Sequence, residues 1–270
     1  MTCPSCSFTS SKFLFSAPQT HGRHLQSPVT FDIYRCLKCS AVYPNLKNVN
    51  LSSYYTNFYF HHPGFIEKLL IRFNHFLLPR KYPFLFGSKP LRVLDIGCGD
   101  LAFLKSIPAQ HLKTGIDLNP LTFKGIKSIK ADFLTHPFTQ NFDFIIMNHS
   151  LEHFLNPAQA LTKAYSLLAP SGRLVINVPN SQSLGFSLTK RYWFHLDAPR
   201  HVILPNPLCL SFLASKLSPA PHSISFQNHT HEFPLALFWG LRRASPLLLP
   251  LWPLLTLFDN QTLTFSLSRP

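Results

Sequence analysis

Leu91-Arg-Val-Leu-Asp-Ile-Gly-Cys-Gly-Asp100 is the stretch that decides the fold. An apolar run ends in Asp95, and two glycines spaced by one residue come next, where a strand should turn into a helix near Leu101. Glycine lets the backbone pass close to a ligand with no Cβ in the way. The helix behind the turn would offer its unpaired N–H groups to that ligand. Alone, a glycine-rich strand-to-helix turn is a weak motif; its weight comes from the order of the segments downstream.

Lys113 to Leu118 reads as a second short strand, and Gly115-Ile-Asp117 puts an acid about 20 residues after the turn, where a nucleotide-type α/β fold places a carboxylate for ribose hydroxyls. Ala131-Asp-Phe133 ends a third short segment with another acid at its carboxyl edge. Phe142-Asp-Phe-Ile-Ile-Met-Asn148 is continuously apolar, as a strand buried on both faces should be, and it leads into His149-Ser-Leu-Glu-His-Phe154. Pro157 to Leu168 carries apolar residues at close to a 3.6-residue period. Ala169-Pro-Ser-Gly172 should stop that helix, and Arg173-Leu-Val-Ile-Asn-Val178 is the fifth strand. This alternation predicts an α/β fold with a doubly wound, mostly parallel sheet and a ligand at the strands' carboxyl ends. Asn206 to Leu217 is the last helix. The alternating segments His222–Gln227 and Thr262–Leu267 predict a C-terminal antiparallel edge pair.

In these motifs the chain resembles the class I S-adenosylmethionine-dependent methyltransferases, from roughly Leu91 to Pro205. The resemblance implies a Rossmann-like fold and S-adenosylmethionine as cofactor. It implies that Gly97 and Gly99 flank the methionine part, that Asp117 holds the ribose and that Asp132 meets the adenine amine. Asp95 would orient the glycine loop and the cofactor's amino end, with Cys98, Leu118, Phe133 and Asn148 completing the cofactor site. Leu101 stands where the family often has a third glycine. A nicotinamide site of the usual kind wants three glycines, which disfavours a dehydrogenase.

Cys3-Pro-Ser-Cys6 and Cys36-Leu-Lys-Cys39 are two CxxC pairs. Each can bend into a knuckle presenting two thiolates, and the two knuckles together complete a tetrahedral Zn²⁺ site. Four cysteines fill the coordination sphere, so the zinc is structural; His21 and His24 could substitute but are not needed. Disulfides are the alternative, but Met1 to Phe8 lacks the apolar core of a secretory leader, and a cytoplasmic setting is expected. Residues 1–45 hold too few apolar side chains for a core of their own, which a bound ion would remedy. Similar zinc ribbons precede the catalytic domain in a subset of methyltransferases of sugars and other small metabolites. There a tyrosine pair after the ribbon, here Tyr54 and Tyr55, covers the substrate side.

Residues 46–90 read as a helical connector and substrate cover, with one amphipathic helix over 57–85, and 91–270 as the cofactor-binding domain. Tyr192-Trp-Phe-His-Leu-Asp-Ala-Pro-Arg-His201 comes after the last parallel strand, where substrate contacts belong. Its candidates are Tyr192, Trp193, His195, Arg200 and His201; the alternative is a structural loop in which Asp197 pairs with Arg200. The segment resembles one in a large branch of the same family. For a base that takes the acceptor's proton, His149, His153 and His195 are the candidates, His149 first because it stands at the strand's end. Glu152 and His153 could serve as base partners or weak metal ligands.

Residues 233–258 are apolar and proline-rich, and the uncharged run Ala244 to Phe258 falls short of the ~20 residues that span a bilayer. A lid and a patch lying on a membrane surface both remain open. Lys and Arg number 25 against 11 Asp and Glu, a net charge of +14, but the basic residues are dispersed, as on a solvated basic face. The expected function is methyl transfer to an oxygen or carbon of a small metabolite, with a sugar or lipid-linked acceptor in view. An RNA or DNA methyltransferase is the alternative, against which stands Asn148-His-Ser-Leu151 where amino-directed base methyltransferases carry a proline turn. A non-catalytic cofactor-binding scaffold is the third. The sequence leaves the oligomeric state open.

Overall fold

A computed structural model describes residues 1–21, 25–54, 76–221, 223–228 and 261–270. The sheet that carries the site has seven strands: β4 (Arg92–Ile96), β5 (Leu112–Asp117), β6 (Ile126–Lys130), β7 (Phe142–Asn148), β8 (Leu168–Pro179), β9 (Ser223–Asn228) and β10 (Thr262–Ser268). Their spatial order is β6-β5-β4-β7-β8-β10-β9. The first five are parallel, and β10 runs antiparallel between β8 and β9. The strand order reverses between β4 and β7, the switch point at which open α/β sheets bind ligands.

The alternation within β4 sorts its side chains onto two buried faces, as the two-residue period of a strand requires. Leu94 and Ile96 join Ile145, Met147, Leu161 and Tyr165 on one face; Val93 joins Phe144, Ile146 and Leu104 on the other. Each fully buried side chain of this size contributes roughly 1.5–3 kcal/mol. Helix α3 (Pro157–Ser166), N-capped by Asn156 accepting from the Gln159 N–H, and helix α5 (Pro207–Ala214), capped by Asn206 in the same way, cover the first face. The second is covered by α1 (residues 76–81), a short turn at Pro83–Phe86 and helix α2 (Ala102–Ser106). Helix α4 (Leu184–Thr189) comes after β8.

Two expectations are corrected. The helix read over 57–85 stops at residue 81, because Pro83 supplies no N–H and pushes the preceding Tyr82 out of the helical region, to φ −131°; residues 55–75 lie outside the described residues, Tyr55 among them. The helix stop at Ala169–Gly172 is the start of β8, which begins at Leu168 and carries an irregularity opposite Phe142–Phe144. The helix expected behind the glycine turn is present as the five-residue α2, with Leu101 at its N-cap.

The N-terminal strands β1 (Ser11–His21), β2 (Leu25–Cys36) and β3 (Val42–Pro44) form a separate antiparallel sheet. It joins the large unit through reciprocal bonds between Val42 and Leu204 and through a core in which Ala17, Phe31, Ile33 and Val42 meet Phe186, Trp193, Leu196 and Leu204. Among the described residues no helix is long and apolar enough to cross a membrane. Residues 233–258 lie outside the described residues.

Candidate functional site

At the carboxyl end of β4 the chain takes three positive-φ steps, Gly97 at 77°, Gly99 at 44° and Leu101 at 62°. At Gly97 glycine is required twice over: a Cβ there would lie 2.5 Å from the Ser150 Cβ. Ser150 donates to the Ile96 carbonyl at 2.7 Å, so the β7 loop is tied to the turn. Asp117, at the end of β5, accepts from the Gly99 N–H (3.1 Å) and from the Asn119 N–H (2.8 Å), which fixes the turn from the other side. A cleft of about 200 Å³ opens here, lined by Asp95, Gly97, Cys98, Gly99, Asp100, Ala102, Phe103 and Asn148. The N–H of Ala102, which the short α2 would have offered to a ligand, is taken by Asp100 at 2.9 Å.

Asp95 is buried, and its Oδ1 has no hydrogen-bond partner among the described residues. Burial first, then the neighbouring Asp117 and Asp100 carboxylates, push its pKa up to about 8. A cleft with an unpartnered carboxyl oxygen and two further acids beside it is short of positive charge. S-adenosylmethionine carries a cationic amino end and a sulfonium, so the residues present fit it. Leu118 and Asp132 stand exposed at the ends of β5 and β6; the Asp132 carboxylate accepts from the Leu134 N–H. Phe133 is buried against Phe138 and Phe154. None of these three lines the cleft as it stands.

The floor beside Asn148 is a network that sequence reasoning missed. Asn177 donates to the Asn148 Oδ1 (3.0 Å) and the Tyr82 hydroxyl (3.1 Å), and accepts from Thr264 (2.5 Å). Burial raises the Tyr82 phenol to about 12, so it stays a neutral hydroxyl. The available signal was Asn177 itself, an amide inside an otherwise apolar strand. Asp100 and Ser150 were also missed, although each directly adjoins a recognised motif.

The second cluster joins residues 149–153 to residues 195–201. His149, at φ 50°, is held by its N–H to the Asn177 carbonyl. Its Nδ1 lies 3.3 Å from the Glu152 Oε1. Its ring stacks on His195 at 6.1 Å between centroids. Glu152 is fully buried; burial would raise its carboxyl, but His149, His201 and His153 overcome that and hold it down at about 2. His153 and His201 meet edge to face at 4.7 Å. Desolvation first, then His153, lower the His201 imidazole to about 4. The Glu152 backbone carbonyl accepts from the N–H groups of Val202 and Ile203, which clamps the two segments together.

The remaining candidates are placed apart. Trp193 is fully buried, donates its indole N–H to Gln261 and packs against Phe186 under the N-terminal sheet. Tyr192 is exposed. Arg200 pairs with Asp197. Tyr54 packs on Phe31.

The four cysteines converge at the base of the N-terminal sheet, with all Sγ atoms within 4.8 Å of one another. The two knuckles repeat one geometry: Ser7 and Ser40, each four residues after the first cysteine of its pair, adopt positive φ and donate their N–H to that cysteine's carbonyl. The closest approaches, Cys3 to Cys39 at 3.6 Å and Cys6 to Cys36 at 3.5 Å, are far from the ~2.05 Å of a disulfide and suit the edges of a thiolate tetrahedron. His21 closes β1 at the opposite end from Cys36, and His24 lies outside the described residues.

A methyltransferase-domain family model matches residues 65–215, more than half of the 270-residue chain. No curated protein matches the sequence. Among solved structures, the fold is similar to an S-adenosylmethionine-dependent methyltransferase from Archaeoglobus fulgidus (TM-score 0.50, 21% identity, 74% of this chain and 94% of that one). It is also similar to a protein from Thermotoga maritima described as a possible histamine N-methyltransferase (TM-score 0.51, 16% identity, 75% and 92%). A third similar structure is the plantazolicin methyltransferase bound to a substrate analogue and S-adenosylhomocysteine (TM-score 0.50, 19% identity, 74% and 84%).

Proposed function

The chain belongs to the methyltransferase-domain family, and on that premise we propose that this S-adenosylmethionine-dependent methyltransferase alkylates an oxygen or carbon of a small polar metabolite, such as a sugar or lipid-linked acceptor. The observation that carries the cofactor part is the buried Asp95 carboxyl at the head of the glycine turn, whose Oδ1 has no hydrogen-bond partner among the described residues. Bound there, the cofactor supplies an activated methyl group on a sulfonium. Asp95 holds its amino end, Gly97 and Gly99 admit it to the backbone, and Asp117 keeps the turn in shape while facing the ribose. Asn148 and His149 stand where β7 ends, so the acceptor approaches over them.

Methyl transfer is an in-line displacement that depends chiefly on positioning. His149 is the base: with Nδ1 turned to the buried Glu152 carboxylate, Nε2 is the nitrogen that takes up the acceptor's proton. The ionised Glu152 favours the imidazolium that results. The N-terminal sheet is a structural zinc ribbon on this reading. The domains are then residues 1–45 for the ribbon, 46–90 for the connector and 91–270 for catalysis.

Titration calorimetry with S-adenosylhomocysteine on wild type and Asp117→Ala, followed by radiolabelled methyl transfer to a panel of hydroxylated metabolites, tests this. Binding that the substitution abolishes, with label on a small acceptor, is expected. A folded protein that binds no cofactor would sink the enzyme reading, and label entering RNA or DNA would replace the acceptor class.

A further inference from the structure

Both carboxylate oxygens of Glu152 are buried and neither has a hydrogen bond among the described residues, although the side chain is fully enclosed. Its close ionic neighbour, His149 Nδ1 at 3.3 Å, faces Oε1. A buried carboxylate without hydrogen bonds is costly, and a cation is the usual remedy. Two histidines supply the rest of a ligand set: one ligand atom each from Glu152, His153 and His201 lies within 4.8 Å of the others.

The tautomers of both rings are set from outside the cluster. His153 Nδ1 lies 3.1 Å from the Arg200 carbonyl, and His201 Nδ1 lies 2.7 Å from the His195 carbonyl. A carbonyl only accepts, so each Nδ1 carries the proton and each Nε2 carries the lone pair. That backbone-held arrangement is how ligating histidines are oriented in metal sites.

We propose that Glu152, His153 and His201 bind a divalent first-row transition ion, of the zinc or iron type, in a two-histidine, one-carboxylate site separate from the four cysteines. Two ligands of one ion stand at most ~4.2 Å apart, twice a metal–ligand bond of ~2.1 Å, so the three side chains close slightly upon it. Three protein ligands leave a coordination position open. The site adjoins His149 at the end of β7. If the methyltransferase reading holds, on which this role rests, an acceptor hydroxyl at the open position becomes more acidic and His149 receives its proton.

Metal uptake can be read without any turnover. Metal-free, reduced wild-type protein is titrated with Co²⁺ while ions per chain are counted and the absorption spectrum recorded. Two ions are expected: one with intense sulfur-to-cobalt charge transfer from the cysteines, and one adding only weak ligand-field bands. Glu152→Gln and His153→Gln should keep the first and weaken the second by more than the roughly 10–100-fold that an outer-sphere change costs. Uptake of the thiolate-bound ion alone by wild type overturns the proposal whether or not the variants fold. So does a second ion that persists unchanged in both variants. S-adenosylhomocysteine titrated into the same sample separates the two readings: two ions without cofactor binding removes the methyltransferase role, and cofactor binding with one ion removes the metal site.

Discussion

The cleft around Asp95 and the histidine cluster beside it are assembled by different means. The cleft is mostly one contiguous stretch, residues 95–103, joined by Asn148, bent by two positive-φ glycines and tied through the Gly99 N–H to the Asp117 carboxylate. The cluster joins two segments 47 residues apart in sequence, and its imidazoles are seated on backbone carbonyls, that of His153 across the join and that of His201 within its own segment. The first depends on the absence of side chains and the second on their presence. The cleft should therefore fail sterically when altered, and the cluster chemically.

The largest effect is expected at Gly97. Valine there combines a left-handed backbone, costly for a β-branched residue, with a Cβ 2.5 Å from that of Ser150. Affinity for S-adenosylhomocysteine should fall by about 100-fold or more, roughly 3 kcal/mol, in calorimetry. Wild-type affinity in a folded Gly97→Val protein would break the steric half of the comparison.

Next comes His149→Gln. Removing a general base costs about 100- to 10,000-fold, so kcat should drop within that range while the dissociation constant for S-adenosylhomocysteine stays put. A parallel loss of cofactor affinity would mean that His149 shapes the cleft, and the two regions would no longer be separable.

The same contrast governs what could be read from the residues alone. Apolar runs ending in acids, with glycines between, sufficed for the parallel sheet, the antiparallel C-terminal pair and the turn, because those patterns report local backbone geometry. Asn177, Tyr82 and Asp100 escaped, since a polar side chain in a strand or connector does not announce which distant partner it meets. Trp193 misled for a related reason: an aromatic after the last parallel strand suits a substrate pocket, yet here it is fully buried against the N-terminal sheet.

That burial yields a smaller, purely structural prediction. Trp193→Phe removes ring area and the indole N–H that Gln261 accepts. It should cost about 1–3 kcal/mol and lower the melting temperature by several degrees, with cofactor affinity unchanged. A drop in affinity or in acceptor KM at constant stability would return Trp193 to the pocket.

The mildest effect is a pH dependence, and it sharpens the electrostatic side of the cleft. Asp95 has a folded pKa of about 8 against an ordinary value of 3.8. A carboxyl raised in this way is protonated in the folded protein at pH 7 and ionised in the unfolded chain. The cofactor-free protein should therefore lose stability as pH rises from about 4 to about 8, and Asp95→Asn should flatten that decline. Binding has the opposite sign, because pairing with the cofactor's amino group requires the carboxylate. Affinity for S-adenosylhomocysteine should rise about fivefold between pH 7 and pH 8. A proton should be released on binding at pH 7, detectable as a dependence of the calorimetric enthalpy on the buffer's ionisation heat. Asp95→Asn should bind more weakly and release none. Proton release that survives the substitution would assign the titration to another group and leave Asp95 as a buried structural acid.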